Sequence, residues 1–476
     1  MPRPRFSTRR ISRISFVLLG VCALVAVGAA VMLRTSGSPG NGAPFAVGVG
    51  SPQLTRVDKD LELWEGAAKM DSFSAYFPAH AAALYMQRAR LTGDVTDAER
   101  AEREARRSLA LRTQHNGGTF VTLSASLLEQ HRFKEARDVA RQLVAGQPDV
   151  EMYHSLLGET QLELGDYDGA RASFAAVRAP TASSGTLAGA ARWAELQGHT
   201  AEARRLLRVA RAMVATQPDF PEAEIAWFDM REGDLALRDG QANAAEAAYR
   251  RGLALAPADY RLQAAMSRFA AGRGRWDEAI AYGEASIATV LDPGTLGVIA
   301  GAYAARGDTA RASEYERTME VALSGQPGAY HRAWSLYMLD HGQRVHEIVQ
   351  RAEDELRTRR DVYGYDIVAW ALHKANRNAE AQSMMAAALR LGTRDPLLFY
   401  HAGAIAHAVG DDDGARGYLT AALELDPVSR PSYAAAARQT LDRIALARDA
   451  HRPFTARVVA QSRRVIQRSL SAVTRS

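Results

Sequence analysis

Cysteine and lysine are almost missing from this sequence of 476 residues. Its one cysteine, Cys22, lies in an apolar segment near the N-terminus, so the rest of the chain can form neither an internal disulfide nor a thiolate metal site. Lysine stands at four positions only, and the positive charge is therefore nearly all arginine. The abundance of arginine and alanine is typical of bacterial proteins from high-GC genomes.

The motifs of common catalytic and nucleotide-binding sites are also missing. The sequence has no HExxH, no GxxxxGK[ST], no GxSxG and no GxGxxG after a strand. Its closest histidine pairs, His341 with His346 and His401 with His407, do not have the spacing that places two ligands on one helix face. The acidic run 411–413 lacks the loop length and the glutamate of a calcium site. We therefore predict no enzyme activity, no metal and no cofactor.

The net charge of +5 comes from the two ends of the chain. Residues 1–14 hold five arginines and residues 451–476 hold six, and neither segment has an acid. The remainder has 48 basic and 54 acidic residues, a net charge of −6. A long basic groove for nucleic acid is therefore not expected along the body. The basic tail 451–476 is predicted either to lie on an anionic membrane as an amphipathic helix or to be a soluble tail.

A single long hydrophobic run lies near the N-terminus. Residues 16–33 carry no charge and follow the five arginines of residues 1–14. A helix of this length spans about 27 Å, enough for a thinned bilayer core. We predict a transmembrane signal anchor at 15–33, with residues 1–14 in the cytoplasm and the body outside it, in the cell membrane as a single-pass protein.

Two alternatives remain for this segment. Small residues at 27–30 approach a cleavage pattern, and cleavage would give a secreted or periplasmic protein. A lipoprotein modified at Cys22 fits poorly because Val21 is bulky where a small residue is required. Residues 34–54 are rich in glycine and proline, and we predict a flexible linker there.

One pattern recurs through the body, residues 55–450. A glycine or asparagine marks a turn, and an alanine follows five residues later, as in Gly165 and Ala170. The alanines are separated by steps of 33 to 35 residues, with one step of 42 near 216–221, where we predict a longer loop. Such a period predicts stacked helix–turn–helix units. Glycine ends the first helix in a left-handed conformation, and alanine lets the second helix approach closely.

The best copies resemble the tetratricopeptide repeat (TPR) family. Its pattern is carried here by Leu157, Gly158, Gly165, Tyr167, Ala170 and Phe174, then by Gly233, Gly240, Ala245, Tyr249 and Pro257, and again by Phe399, Gly403, Gly410, Ala415, Leu419 and Pro427. The resemblance implies an all-α, right-handed superhelical solenoid of about ten units, with a final capping helix at 432–449. The early tryptophan of the family is missing. The asparagines lie in linkers and turns, so carboxylate clamping of a peptide end is not expected.

The resemblance implies a scaffold that binds a protein or peptide in its concave groove. By register, the groove-facing residues are predicted to be rich in arginine in the middle and aromatic towards the C-terminus. These candidates are Arg192, Asp234, Arg261, Arg268, Arg332, Tyr363, Asp366, Trp370, His373, Tyr400 and His407. The aromatic members have the alternative role of filling the helix stack. An accessory subunit of an envelope enzyme complex is the alternative function.

Overall fold

A computed structural model describes residues 52–178, 182–218, 220–324, 332–426 and 431–450. Regular secondary structure in these ranges is entirely α-helical, and the expected all-α helical-repeat fold is confirmed. The segments predicted as the cytoplasmic N-terminus, the signal anchor and the basic tail lie outside the described residues, as does nearly all of the linker. Within the described ranges, no helix combines the length and the apolar character needed to cross a bilayer.

Twenty-two helices are described, and we number them in chain order. They are α1 Pro52–Met70, α2 Tyr76–Thr92, α3 Thr96–Leu111, α4 Gly117–Glu129, α5 Phe133–Gly146, α6 Glu151–Leu164, α7 Tyr167–Ala175, α8 Ser184–Leu196, α9 Thr200–Ala215, α10 Glu222–Arg238, α11 Ala242–Leu255, α12 Tyr260–Gly272, α13 Trp276–Ile287, α14 Pro293–Ala305, α15 Thr309–Ser324, α16 Arg332–Asp340, α17 Val345–Glu355, α18 Val362–Lys374, α19 Asn378–Leu389, α20 Pro396–Ala408, α21 Asp412–Leu425 and α22 Pro431–Ala450. From α2 to α21, each even-numbered helix pairs with the odd-numbered helix that follows it.

The turn inside a pair requires a left-handed residue, as the sequence predicts. Gly165, between α6 and α7, has φ +70°, and its N–H bonds to the carbonyl of Leu162. A residue that carries a side chain is destabilised in this left-handed conformation by about 1 kcal/mol or more. His131 and Asn376 accept this conformation at the equivalent turns, with φ of 57° and 61°.

Small residues let the two helices of a pair approach closely. Ala136, Ala170 and Ala245, each near the start of an odd-numbered helix, are completely buried. The even-numbered helices contribute glycines to the same interface. An aromatic ring or a leucine of the odd-numbered helix packs where the glycine has no side chain. At Gly158 an added Cβ would lie 2.7 Å from the ring of Phe174. The alanine and glycine pattern of the sequence is therefore a packing pattern.

Even-numbered helices form one layer of the fold. Each contacts the next even-numbered helix, α8 and α10 through side chains such as the ion pair of Glu195 and Arg231, and the last contacts the capping helix α22. We call the surface of this layer the even-helix face. The eight extra residues of the long step lie mostly in α9 and α10, which have 16 and 17 residues, rather than in the predicted loop.

Distant parts of the chain pack together at the turns. The N–H of Arg360 donates to the carbonyl of Glu163 at 3.1 Å, and Arg390 donates to the carbonyl of Gly165 at 2.8 Å. In the next pair, α8/α9, the carbonyl of Leu196 accepts a hydrogen bond from the hydroxyl of Thr393. One apolar cluster joins residues 162–196 to residues 334–405. The pairs α6/α7 and α8/α9 are therefore bound to the connections before α18 and α20, 197 to 225 residues later in the chain.

Candidate functional site

The predicted groove residues in the middle of the chain lie in a network of ion pairs on the even-helix face. Arg192 of α8 pairs with Glu163 of α6. Its side chain is 39% exposed although protein surrounds it on all sides. The network has three connected parts.

The first part joins helices α6 and α8 to the segment that precedes α18. Glu163 accepts from Arg192 and lies 3.2 Å from Nε of Arg359, and Arg359 also pairs with Asp361 at 3.1 Å. Burial alone would raise the pKa of Glu163. The two guanidinium groups outweigh burial and hold that pKa below its usual value. Glu163 is therefore ionised and ties α6 and α8 to the start of α18.

The second part centres on Glu195 at the end of α8. Arg231 donates to its carboxylate at 2.6 Å, and Arg238 pairs with its other oxygen. Arg238 continues to the C-terminal half of the chain, because its Nη1 donates to the hydroxyl of Tyr363 at 3.0 Å and its Nε lies 3.7 Å from Asp395. The pKa of Glu195 is lowered, since the arginines outweigh the effect of burial.

The third part lies between α16, α18 and α20. Asp366 is completely buried and pairs with Arg332 and with Nδ1 of His401 at 2.7 Å. Burial raises the pKa of Asp366, but His401 and Arg332 lower it further than burial raises it. The Arg332 guanidinium also lies 5.2 Å from the ring centroid of Tyr363, which connects this part to Arg238.

Charge in the network is close to balanced. Five arginines meet six carboxylates: Arg192, Arg231, Arg238, Arg332 and Arg359 against Glu163, Glu195, Asp234, Asp361, Asp366 and Asp395. The predicted groove residues Arg192 and Arg332 are therefore already neutralised by the chain's own carboxylates. Removing one of these ions from its partners is costly inside a protein, so the network fixes the helix stack.

The structure brings four more of the predicted candidates into internal contacts. Asp234 joins the network through Arg231 at 3.1 Å and the Tyr249 hydroxyl at 2.9 Å. Arg261 pairs with Asp259 at the start of its own helix, at 2.6 Å. His373 and His407 occupy equivalent positions and bond to Asn378 and Asp412, at 2.8 and 2.7 Å, across the turn of their pair. Arg268 is exposed on α12.

The C-terminal aromatic residues fill the stack rather than line a groove. Trp370 is 2% exposed and stacks on His401, with ring centroids 4.1 Å apart. Tyr400 stacks on Tyr433 of the capping helix at 4.6 Å. The prediction of Trp370 as an exposed anchor is therefore wrong, because the ring of His401 and Lys374 of the next turn cover it.

An open groove lies instead at the N-terminal end of the even-helix face, between α2 and α4. Its volume is about 380 Å³. One wall is a face of α2 with Ala79 and Ala83, and the other is the first turns of α4 with Thr119 and Thr122. Short side chains at these places leave the space between the two helices unfilled.

Aromatic rings form one rim of this groove. Tyr76 lies 3.9 Å from His80 and 5.5 Å from Trp64 between ring centroids. Phe73, in the connection before α2, is 89% exposed, and Met70 at the end of α1 is 92% exposed. Contiguous patches of exposed apolar side chains mark binding sites more often than single exposed residues do.

Sequence reasoning missed this groove and much of the network. The clear repeats begin at about residue 117 and only a degenerate unit precedes them, so the repeat pattern gives no groove-facing positions near Tyr76. Glu195 occupies the register position of His373 and His407, and its charge at that position is the signal that could identify it. Arg359 and Asp361 lie in a connection between helices, where no repeat pattern applies. Among the described residues, no three His, Cys, Asp or Glu side chains form a group that fits a metal ion.

No model of a known protein family and no curated protein matches this chain. Solved structures are similar to it at low identity. The type IV pilus biogenesis factor PilW has 19% identity and a TM-score of 0.38, over 44% of this chain and 94% of that one. The APC/C hetero-tetramer Cut9–Hcn1 has 13% and 0.39, over 83% and 85%. The human IFIT1 dimer with PPP-AAAA has 13% and 0.43, over 78% and 87%.

These neighbours are helical-repeat proteins of the tetratricopeptide type. With identities of 19% or less and TM-scores below 0.5, they say nothing about what this chain binds. The functional conclusion below therefore depends on the described residues and the sequence.

Proposed function

We propose that this chain is a non-catalytic scaffold that binds a protein or peptide segment on its even-helix face, at the groove between α2 and α4. The groove is the observation on which the proposal depends. It is open where the middle of the face holds internal ion pairs, and Tyr76 on its rim is 55% exposed. Aromatic anchors in a pocket supply much of the binding energy of protein interfaces.

We further propose that the scaffold is anchored in the cell membrane by residues 15–33, with its body outside the cytoplasm. This part of the proposal is supported by the uncharged run 16–33 and the five arginines before it. Residues 34–54 would then hold the groove at a distance from the bilayer.

The binding proposal is tested by filling the groove. Thr122 and Thr318 are both half-buried, and each hydroxyl donates to the carbonyl four residues earlier, but Thr122 lies in the groove and Thr318 on α15. Proteins that copurify with the full chain should be lost with Thr122→Trp and kept with Thr318→Trp. Equal recovery with both variants would refute binding in the groove.

Topology is tested separately with the chain's single cysteine. Cys22 is replaced by Ser, and a new cysteine is placed at Asp168, whose side chain is 93% exposed. A membrane-impermeant maleimide should label Asp168→Cys while the cytoplasmic membrane is intact. Labelling that requires breaking that membrane would place the body in the cytoplasm and contradict the proposed orientation.

A further inference from the structure

The groove between α2 and α4 differs in charge from the rest of the even-helix face. Arg112 lies at its edge, and no aspartate or glutamate lines it. The Arg112 guanidinium donates only to backbone carbonyls, to Gln114 at 2.9 Å and His115 at 3.2 Å. No carboxylate of the described ranges pairs with it. Every arginine of the central network, in contrast, pairs with a carboxylate. The positive charge of Arg112 is therefore not neutralised within the chain and can attract an anionic ligand.

The backbone at the groove also favours a ligand with negative charge. Gly118 stands in the first turn of α4, where the helix dipole is positive, whereas the N–H of Thr119 already donates to the carbonyl of Asn116. A Cβ added at Gly118 would meet no atom within 4 Å, so the space beside this backbone is open. The effect of the dipole is modest, and it adds to the charge of Arg112.

The apolar rim adds a second requirement. Tyr76 is 55% exposed beside Ala79. A ligand that reaches from Arg112 to Tyr76 therefore needs an anionic group and an aromatic or aliphatic group on the same segment. Two-part contacts of this kind give both orientation and affinity.

We propose that the groove binds an acidic segment of a partner protein that also carries an aromatic or aliphatic anchor residue. Arg112 and the start of α4 hold the carboxylates, and Tyr76 on the rim holds the anchor. The ends of this chain do not suit the groove, because residues 1–14 and 451–476 are rich in arginine and have no acid. The inference rests on the proposed function, since it specifies the chemistry of the ligand in that same groove.

The test uses the full chain in detergent micelles and a random library of 12-residue peptides displayed on beads. Peptides retained by the wild type should be enriched in Asp and Glu and contain Trp, Phe or Leu. Arg112→Glu should weaken the binding of individual selected peptides at least tenfold, as measured by fluorescence anisotropy. The matched control is Arg103→Glu, which makes the same charge change at an exposed site on α3 and should change affinity less than twofold.

Three results would overturn the inference. Retained peptides without acidic enrichment would refute the charge preference. An equal loss with Arg112→Glu and Arg103→Glu would show attraction by overall charge alone. Self-association of the chain that Thr122→Trp abolishes would make a second copy the occupant. If Thr122→Trp removes copurified partners while acidic peptides fail to bind, the proposed function stands and only the acidic ligand is excluded.

Discussion

Asp366 shows how strongly single residues hold this fold. Its carboxylate is completely buried between Arg332 and His401, and both partners stabilise its ionised form. The pKa of Asp366 is lowered, so its contribution to stability is full above its ordinary pKa and is lost as the pH falls through the lowered value.

Replacing Asp366 should therefore destabilise the chain. Asp366→Ala is expected to lower the free energy of unfolding by about 3 kcal/mol, because it leaves Arg332 without its buried partner. Chemical denaturation followed by circular dichroism measures the loss. The control is Asp168→Ala, whose side chain is 93% exposed and whose loss should cost under about 0.5 kcal/mol. Similar losses for both variants would contradict the role given to Asp366.

Two other carboxylates behave in the opposite way. Burial raises the pKa of Glu159 and of Glu355 to about 7 in the folded chain. The folded state then holds more protons than the unfolded state between the ordinary pKa of glutamate and pH 7. Stability should consequently fall as the pH rises through this window.

The double variant Glu159→Gln, Glu355→Gln isolates this effect. Between pH 5 and pH 8 the wild type should lose roughly 1–3 kcal/mol more stability than the variant. The comparison cancels the contribution of histidines that titrate in the same range. Parallel stability curves for the two proteins would show that these glutamates ionise normally when folded.

At the scale of the helix pair, two glycines at equivalent turns make a matched comparison. Gly165 has φ +70° and Gly307 has φ +81°, so a side chain is strained at both. At Gly165 a Cβ would also overlap the carbonyl oxygen of Arg360, whereas at Gly307 it would meet nothing within 4 Å.

Gly307→Ala should therefore cost about 1 kcal/mol for the left-handed backbone alone. Gly165→Ala should cost at least about 2 kcal/mol, since it also separates the turn from residue 360. Thermal unfolding of the two variants measures the difference. Equal melting temperatures would mean that the turn of α6/α7 does not pack against the chain before α18.

The helix pairs could be predicted from the sequence, because each depends on contacts within about 34 residues. Glycine and alanine fix the turn and the close approach locally, and both recur with the period. Neither signal describes contacts 197 and 225 residues apart, which use the backbone carbonyls of Glu163 and Gly165. The cover of Trp370 comes from His401 of the next even-numbered helix, a side-chain contact between neighbouring pairs that glycine and alanine do not report.

At the scale of the whole chain, the long-range contact has a direct readout. The amide of Arg360 lies outside any helix and bonds to the carbonyl of Glu163. Native-state hydrogen exchange should show it protected, although loop amides normally exchange fast. The exposed amide of Gln114, for which no backbone bond is described, serves as the fast-exchanging reference.

The central claim is that the even-helix face is filled by internal ion pairs in its middle and is open at α2 and α4. Photo-crosslinking in cells tests it most directly, with p-benzoylphenylalanine placed in the full chain at Thr122 in the groove or at Arg103 on α3. If the groove is the binding site, position 122 should give a discrete crosslinked partner and position 103 should give none. Crosslinks of equal strength from both positions, or none from position 122, would contradict it.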